Sequence, residues 1–186
     1  MKTNPLFYFL GVIFLYAGSI NYVISQETKK CEKASEITVK NLDSCQALVI
    51  KADIPTSQVG PKMGEIYGKI FAYAGEQQIE LAGPPFAVYW KFDPQGNTVF
   101  EAGIPVGKGV TGNEEIEYKE YPSVKVVSML YTGAYEKMEP AYLKMMDYIK
   151  NNNLKDKGVS WEVYLTDPAE EPDPEKYQTV INLFVE

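Results

Sequence analysis

Two short segments of the chain carry tyrosine and glutamate side chains in a pattern suited to holding a small molecule. Apolar and polar residues alternate through residues 159–166, where Glu162 stands two positions before Tyr164. Residues 86–92 alternate in the same way and carry Tyr89 at the matching position. Because alternate side chains of a β-strand point to opposite faces of a sheet, Glu162, Tyr164 and Tyr89 are predicted to share one face. A carboxylate shielded from water between aromatic rings would attract a lipophilic cation.

Composition excludes several other kinds of chemistry. The 186 residues include no histidine, which removes Ser-His-Asp and Cys-His catalysis, imidazole acid–base chemistry and nearly every zinc pattern. The formal net charge is -7 and all 18 basic residues are lysine, whereas a nucleic-acid partner needs a basic face and commonly an arginine fork. We therefore expect no nucleic-acid partner, no metal and no cofactor. The acidic loop at residues 167–177 lacks the Asp/Asn-Gly pattern of a calcium site and is interpreted as a solvated turn.

The first 25 residues predict an export or membrane segment. Residues 5–25 carry no charge and are long enough to span a bilayer, which would anchor the protein in the membrane. A cleaved signal peptide is equally consistent, because Lys2 precedes the apolar run and Ser25 offers a small residue at a cleavage site. Both alternatives stay open, and both place the domain outside the cytoplasm, in the periplasm or secreted, with membrane contact only through this segment.

Export favours a structural role for the two cysteines, Cys31 and Cys45. They enclose thirteen residues, and an oxidising compartment favours their pairing. A bridge across a loop of this size would stabilise the fold by about 3 kcal/mol, mainly by restricting the unfolded chain. We predict a structural disulfide in an N-terminal extension at residues 26–45.

From residue 46 onward the chain repeats one order of elements: strand, helix, strand, strand. The first unit covers residues 46–106 and the second residues 122–186, with a linker rich in glycine and glutamate at 107–121. Alternation and helical periodicity predict the elements of the first unit at residues 46–51, 63–74, 86–92 and 98–106. Those of the second are predicted at residues 123–130, 138–149, 160–165 and 179–185. The fold class is therefore predicted to be α+β, with tandem duplicated βαββ units.

One face of each strand is expected to pack on the helices. The more apolar set of alternating positions is assigned to that face, and Trp161 is interpreted as a core residue because it belongs to this set. The set comprises Phe86, Val88, Trp90, Phe92, Val159, Trp161, Val163 and Leu165. Glu101 and Phe184, together with Val180 and Asn182, are expected to share the opposite face with Glu162.

Four segments in this order resemble the signature segments of GyrI-like proteins. They read Gly-Pro-Pro-Phe-Ala-Val-Tyr at 83–89, Glu-Ala-Gly-Ile-Pro-Val at 101–106, Tyr-Thr-Gly-Ala-Tyr at 131–135 and Trp-Glu-Val-Tyr-Leu-Thr-Asp-Pro at 161–168. This family includes the effector-binding domains of multidrug-responsive transcription regulators, and the resemblance covers residues 47–185. It implies an SHS2-like fold, with antiparallel sheets, two main helices and a ligand groove between the repeats.

The resemblance also implies a ligand and a set of residues that bind it. The ligands of the family are small amphipathic molecules, often cationic and aromatic. The acidic residue of the groove is carried onto Glu162, and the aromatic walls onto Tyr89, Trp161 and Tyr164. Tyr131 stands where many members carry histidine, so a role that rests on imidazole is lost. The candidate ligand-binding set is Glu162, Tyr164, Tyr89, Trp161, Glu101, Tyr131 and Phe184.

Some of these residues have a plainer interpretation. Glu162 could be a solvated strand residue, Glu101 could lie at the surface, and Tyr131 could bracket a strand-to-helix turn with Tyr135. If these plainer interpretations hold, the shared face is an ordinary sheet surface and not a binding site.

Three functions compete at this point. The first is an exported or membrane-tethered protein that binds or sequesters small amphipathic molecules. The second is a hydrolase, because some GyrI-like proteins resemble enzymes that open strained rings such as cyclopropanes. Glu162 would then act as base and Tyr164 as electrophile. The third is a protein-interaction module similar to the gyrase-binding members, which export from the cytoplasm disfavours. Protein partners are not predicted.

Overall fold

Two copies of a strand–helix–strand–strand unit form most of the structure, a computed structural model that describes residues 36–186. A short strand, β1 (Thr38–Leu42), precedes the first copy, and another, β5 (Glu117–Tyr121), lies between the copies. The first copy consists of β2 (Cys45–Pro55), α1 (Val59–Glu76), β3 (Phe86–Lys91) and β4 (Asn97–Pro105). The second consists of β6 (Val124–Thr132), α2 (Glu139–Asn151), β7 (Asp156–Tyr164) and β8 (Gln178–Val185).

The strands of both units belong to one antiparallel sheet of eight strands. Their order is β1-β6-β8-β7-β3-β4-β2-β5. The units join where β3 pairs with β7, which places Phe86 opposite Val163 and Val88 opposite Trp161. The predicted α+β fold class with tandem βαββ units is confirmed, and the two sheets of the units merge into one.

β1 and β5 were not predicted, and they form the two edges of the sheet. β5 reads Glu-Tyr-Lys-Glu-Tyr and lies inside the segment interpreted as a linker. Charged residues are common on edge strands, where they prevent pairing with other chains, but the same charges make such a strand resemble a loop in the sequence.

Each helix packs on the sheet of its own unit. The stripe of α1 that contains Ile66 and Ile70 covers β2 and β4, where Leu48, Ile50 and Phe100 are buried. The stripe of α2 covers β6 and β8 in the same way. Its core contains Val127, Met129, Met145, Ile149 and Ile181. The strands of the junction, β3 and β7, therefore lie between the two helices.

The face of the sheet away from the helices is concave and is buried by its own side chains. The rings of Tyr121 on β5 and Trp161 on β7 lie 5.0 Å apart, although three strands separate β5 from β7. In a flat sheet these strands would be about 19 Å apart, so the sheet must curl toward this face. Phe86 and Phe184 complete an aromatic cluster there.

The predicted assignment of the two faces is wrong. The apolar set that includes Phe86, Val88 and Trp161 lies on the concave face, whereas Tyr89 and Glu162 lie on the face that carries the helices. Alternation identifies the residues that share a face, but here both faces are buried. Greater apolarity therefore does not mark the face that the helices cover.

The N-terminal predictions fall largely outside the described residues. Residues 1–25 and Cys31 are not among them, so export and the disulfide stay predictions. Within residues 36–186 no helix combines the length and apolarity needed to cross a membrane. Cys45 has no disulfide partner in this part of the chain.

Candidate functional site

Glu162 occupies the middle of the junction between the two units. Its side chain is only 6% exposed, and β7 places it opposite Ala87 of β3 on one side and Ile181 of β8 on the other. Ala87 has a single methyl group, so the carboxylate has room at the junction. The duplicated units thus enclose an acidic group at the centre of the helix-bearing face.

Tyrosine hydroxyl groups supply the hydrogen bonds to this carboxylate. Tyr164, two positions along the same strand, donates to Oε2 at 2.8 Å. Tyr142 of α2 donates to Oε1. The hydroxyl of Tyr89 lies 3.1 Å from that of Tyr164, so a chain of hydrogen bonds runs from β3 through Tyr164 to Glu162. The predicted shared face of Tyr89, Glu162 and Tyr164 is confirmed.

Further aromatic rings surround Tyr164. Tyr67 of α1 donates to the carbonyl oxygen of Phe86 at 2.9 Å, and its ring centroid lies 6.4 Å from that of Tyr164. Tyr135, in a 3-10 turn that precedes α2, approaches Tyr164 from the other side at 5.6 Å. Both rings meet Tyr164 edge-on, an arrangement favoured by aromatic pairs. Since all these tyrosines are half-buried, they separate a buried carboxylate from solvent. We name the site formed by Glu162, Tyr67, Tyr89, Tyr135, Tyr142 and Tyr164 the tyrosine groove.

The carboxylate of Glu162 has no cationic partner in the part of the chain that the structure describes. Among residues 36–186, none of the lysines forms an ion pair with it. Burial raises the pKa of Glu162, and the hydrogen bonds from Tyr142 and Tyr164 offset only part of that rise. Burial and the nearby charge of Glu162 also raise the pKa of both tyrosines well above its usual range. The hydroxyl groups therefore stay neutral donors, and when Glu162 is ionised no lysine of residues 36–186 balances its charge.

Three predicted site residues lie on the other face of the sheet. Glu101 is buried on the concave face, where it contacts Lys119 and Tyr121. Trp161 and Phe184 belong to the aromatic cluster of the same face. Glu101 and Phe184 were expected to share a face with Glu162, which is wrong: the register of the sheet pairs Glu101 with Val88 and Asn182 with Trp161, so Glu101 and Phe184 lie on the face opposite Glu162. Trp161 lies on the face opposite Glu162, as alternation predicted, so the place in the groove that the resemblance implied for it is wrong.

Tyr131 lies on the helix-bearing face but outside the tyrosine groove. Its hydroxyl donates to the carbonyl oxygen of Ala134 at 3.0 Å. Thr179 of β8 stands between Tyr131 and Tyr164 in the register of the sheet. Tyr131 therefore closes the turn between β6 and α2, as its plainer interpretation proposed.

Sequence reasoning missed the tyrosines that the helices contribute. Tyr67 and Tyr142 each fall in the apolar stripe of a helix, and neither was among the candidate ligand-binding residues. A tyrosine that is buried usually needs a partner for its hydroxyl group. Two such residues facing the junction were the available signal that a polar group lies beneath the helices.

Other features of the described residues do not adjoin Glu162. A cavity of about 690 Å³ lies at the end of α1, between residues 77–82 and the linker at residues 107–111. It is lined by short loops and contains none of the tyrosine groove. Within residues 36–186 no three His, Cys, Asp or Glu side chains are grouped so that they could hold a metal ion.

Replacement of Glu162 by Gln is expected to stabilise the protein at neutral pH by about 0.5–2 kcal/mol, because it removes an uncompensated buried charge. Because burial raises the pKa of Glu162 above its unfolded value, the stability that this residue contributes is lost as pH rises through the folded pKa. The difference between variant and wild type should therefore shrink as pH falls below that value. Urea unfolding across pH measures this, with exposed Glu117→Gln as control. A Gln variant less stable than wild type at pH 7 contradicts the interpretation.

Comparison with known proteins agrees with the observed fold. The sequence profile of the GyrI-like small molecule binding domain matches residues 17–184. No curated protein sequence matches the chain significantly. The C-terminal domain of EcmrR aligns with a TM-score of 0.68 at 17% identity, over 82% of this chain and 98% of that one.

Two further solved structures share the fold at similarly low identity. A hydrolase encoded by lin2189 from Listeria innocua aligns with a TM-score of 0.60 at 14% identity, over 81% of this chain and 92% of that one. SAV2435, described with tetraphenylphosphonium bound, aligns with a TM-score of 0.53 at 18% identity, over 81% and 94% of the two chains. The profile match covers most of the sequence, and the structural neighbours have the same architecture. The chain belongs to the family of GyrI-like small-molecule-binding domains.

Proposed function

We propose that this protein binds small amphipathic molecules with a cationic aromatic character, and that the tyrosine groove holds them against Glu162. One observation carries the proposal: the carboxylate of Glu162 is buried among tyrosine rings, and the described residues place no cation beside it. A receptor that holds or sequesters its ligand needs no more than this arrangement.

The electrostatics of the site favour a positive ligand. A buried charge that lacks a partner is costly, and a cation that enters the groove removes this cost. Coulomb attraction strengthens where the effective dielectric is low. Each tyrosine face that the cation meets adds about 0.5–2 kcal/mol, depending on how far both groups are desolvated. The selectivity for cations thus comes from the protein charge that the fold leaves unbalanced.

The walls of the groove are apolar at the rim. Phe71 follows Tyr67 by one helical turn on α1, and Met146 follows Tyr142 by one turn on α2, so each lies on the same side of its helix as the groove tyrosine. Both are exposed, Phe71 by 47% and Met146 by 43%. A ligand with a lipophilic body would cover these side chains while its charge reaches toward Glu162.

Ligand entry requires movement of the tyrosines. The carboxylate is 6% exposed, and the hydrogen bonds among Tyr89, Tyr164 and Glu162 close the groove above it. A cationic ligand that breaks these hydrogen bonds forms a charge pair with Glu162 in their place. The energy of this pair offsets that of the broken hydrogen bonds. The movement would be rotation of side chains, since the strands that carry Tyr89 and Tyr164 are fixed by the sheet.

We expect wild-type protein to bind tetraphenylphosphonium, the molecule described with SAV2435, and Glu162→Gln to bind it about tenfold more weakly or worse, because the charge partner is lost. Isothermal titration calorimetry measures both affinities. Lowering the pH should weaken binding to wild type, since protonation of Glu162, whose pKa is raised by burial, removes the same charge. The affinity of the Gln variant should not change with pH in this range.

Two controls separate charge from shape. Tetraphenylborate has nearly the same shape with the opposite charge, and it should not compete. Glu117→Gln makes the same substitution at an exposed site on β5 and should leave the affinity unchanged. Equal affinity of Glu162→Gln and wild type for the phosphonium ion would falsify the electrostatic part of the proposal.

The contacts of Glu162 also favour a second candidate function, hydrolysis of strained-ring electrophiles. General acid–base catalysis commonly uses a carboxyl group with a raised pKa, and burial raises the pKa of Glu162, which has two phenol donors in contact. Glu162 would activate water while Tyr164 polarises the electrophile. Analysis of the bound molecule for chemical change distinguishes this function from binding alone.

Export or membrane tethering completes the proposal and rests on the uncharged residues 5–25, and the pairing of the two cysteines follows from it. When the full chain is produced in a bacterial host, we expect it in the periplasmic or membrane fraction, with Cys31 and Cys45 joined. Peptide mapping with and without reductant detects the bond, and intact mass shows whether the first 25 residues are retained. Cytoplasmic protein with both thiols free contradicts the export proposal but leaves the tyrosine groove unaffected.

A further inference from the structure

A second buried carboxylate lies on the concave face of the sheet. Glu101 of β4 is 5% exposed. Its Oε1 lies 2.5 Å from the ammonium nitrogen of Lys119, and its Oε2 accepts a hydrogen bond of 2.8 Å from the hydroxyl of Tyr121. Lys119 and Tyr121 both belong to the edge strand β5, and β2 separates this strand from β4. The side chains of Glu101, Lys119 and Tyr121 therefore meet across β2 on the concave face, although β4 and β5 are not directly paired.

Two aromatic rings face the same ammonium group. The Nζ atom of Lys119 lies 5.4 Å from the ring centroid of Trp90 and 5.1 Å from that of Tyr121, within the range of cation–π attraction. Trp90 reaches this position at an irregularity in the pairing of β3 with β4. A carboxylate with two aromatic rings around a cation is the arrangement by which proteins recognise ammonium ligands. We name the group formed by Trp90, Glu101 and Tyr121 the Glu101 cage.

The duplication indicates that the fold does not require this acid. Val88 precedes Tyr89 and pairs with Glu101, and in the other unit Val163 precedes Tyr164 and pairs with Val180. An apolar residue therefore stands at the equivalent position of the second unit. Because replacing a buried ion pair by apolar residues is often neutral or stabilising, stability of the sheet does not explain the charged group in the first unit.

The ionisation of Glu101 suits a cation site. Burial raises the pKa of Glu101, but hydrogen bonds from Lys119, Tyr121 and Trp90 lower it by more, and the net shift is downward. Burial and Glu101 together raise the pKa of Tyr121, which stays a neutral donor. The cage thus carries one negative charge, and the ammonium group of Lys119 balances it.

The lysine can leave without unfolding the cage. β5 is an edge strand that pairs only with β2, and the side chain of Lys119 is 28% exposed. Its flexible stem allows the ammonium group to turn into solvent, whereas Glu101 and Tyr121 are buried. Trp90 is 41% exposed, so the ammonium site adjoins solvent on one side.

We propose that the Glu101 cage is a second binding site, for the primary ammonium group of a small amine, and that Lys119 occupies it as a tethered competitor. A primary ammonium fits because it can donate a hydrogen bond to Glu101 while it lies against both rings, as Nζ of Lys119 does. The site lies on the opposite face of the sheet from Glu162. It is therefore independent of the function proposed for the tyrosine groove.

Methylammonium tests the proposal, because it reproduces the end of a lysine side chain. The chain contains two tryptophans, so a nitrogen-15 NMR spectrum shows two indole N–H signals, and Trp90→Phe assigns them. We expect methylammonium chloride to shift the Trp90 signal of Lys119→Ala saturably. Half-saturation of wild type should require a concentration about tenfold higher or more, because the tethered ammonium competes at a high effective concentration.

The controls distinguish binding of methylammonium from the effects of ionic strength and of altered folding. Sodium chloride at equal ionic strength should leave the Trp90 signal of Lys119→Ala in place. The double variant Lys119→Ala/Glu101→Gln should not respond to methylammonium, and exposed Lys125→Ala should respond as wild type does. The proposal is overturned if Lys119→Ala responds no more to methylammonium than to sodium, or if the double variant responds equally. If the indole signals overlap, the midpoint temperature of thermal unfolding of Lys119→Ala reports the same binding. Methylammonium should raise this temperature and sodium should not.

Discussion

Burial of the Glu162 carboxyl group is the constraint that determines which side chains surround it on the helix-bearing face. Nothing in residues 36–186 neutralises the negative charge of Glu162, and only the tyrosine hydroxyl groups of Tyr142 and Tyr164 stabilise it. These hydrogen bonds offset only part of the cost of burying the charge, because the pKa of Glu162 stays raised. The site therefore keeps a stability cost when Glu162 is ionised, and the proposed cationic ligand would relieve it.

The two buried glutamates show how surroundings assign different roles to one residue type. Glu101 and Glu162 are almost equally buried, yet their pKa values shift in opposite directions. Lys119 provides Glu101 with a cation and lowers its pKa, whereas burial without a cation raises that of Glu162. The first carboxylate is balanced by a lysine of the same chain, whereas residues 36–186 supply no cation to the second.

The sequence predicts the order of elements well, because each unit repeats the same periodic pattern and supports the assignment of the other. It also predicts that Tyr89, Glu162 and Tyr164 share a face, since that follows from alternation alone. It cannot predict which face carries the helices, because the curl of the sheet buries the concave face with its own aromatic residues. Trp161, the clearest core residue of the sequence, therefore lies on the unexpected side. Tyr142 was missed because its ring suits the core, and its hydroxyl group gives no periodic signal.

The position of the groove follows from the duplication. Each helix covers the strands of its own unit, α1 over β2 and β4 and α2 over β6 and β8, so the junction strands β3 and β7 lie between the helices. A polar group on these strands can be reached by side chains from both units, and the hydrogen bonds of Glu162 come from α2 and β7 while Tyr89 of β3 extends the chain. A single unit would leave this strand edge unpaired and the carboxylate in water, where its charge would be screened. The raised pKa of Glu162, and with it the proposed affinity for cations, thus depends on both units being joined.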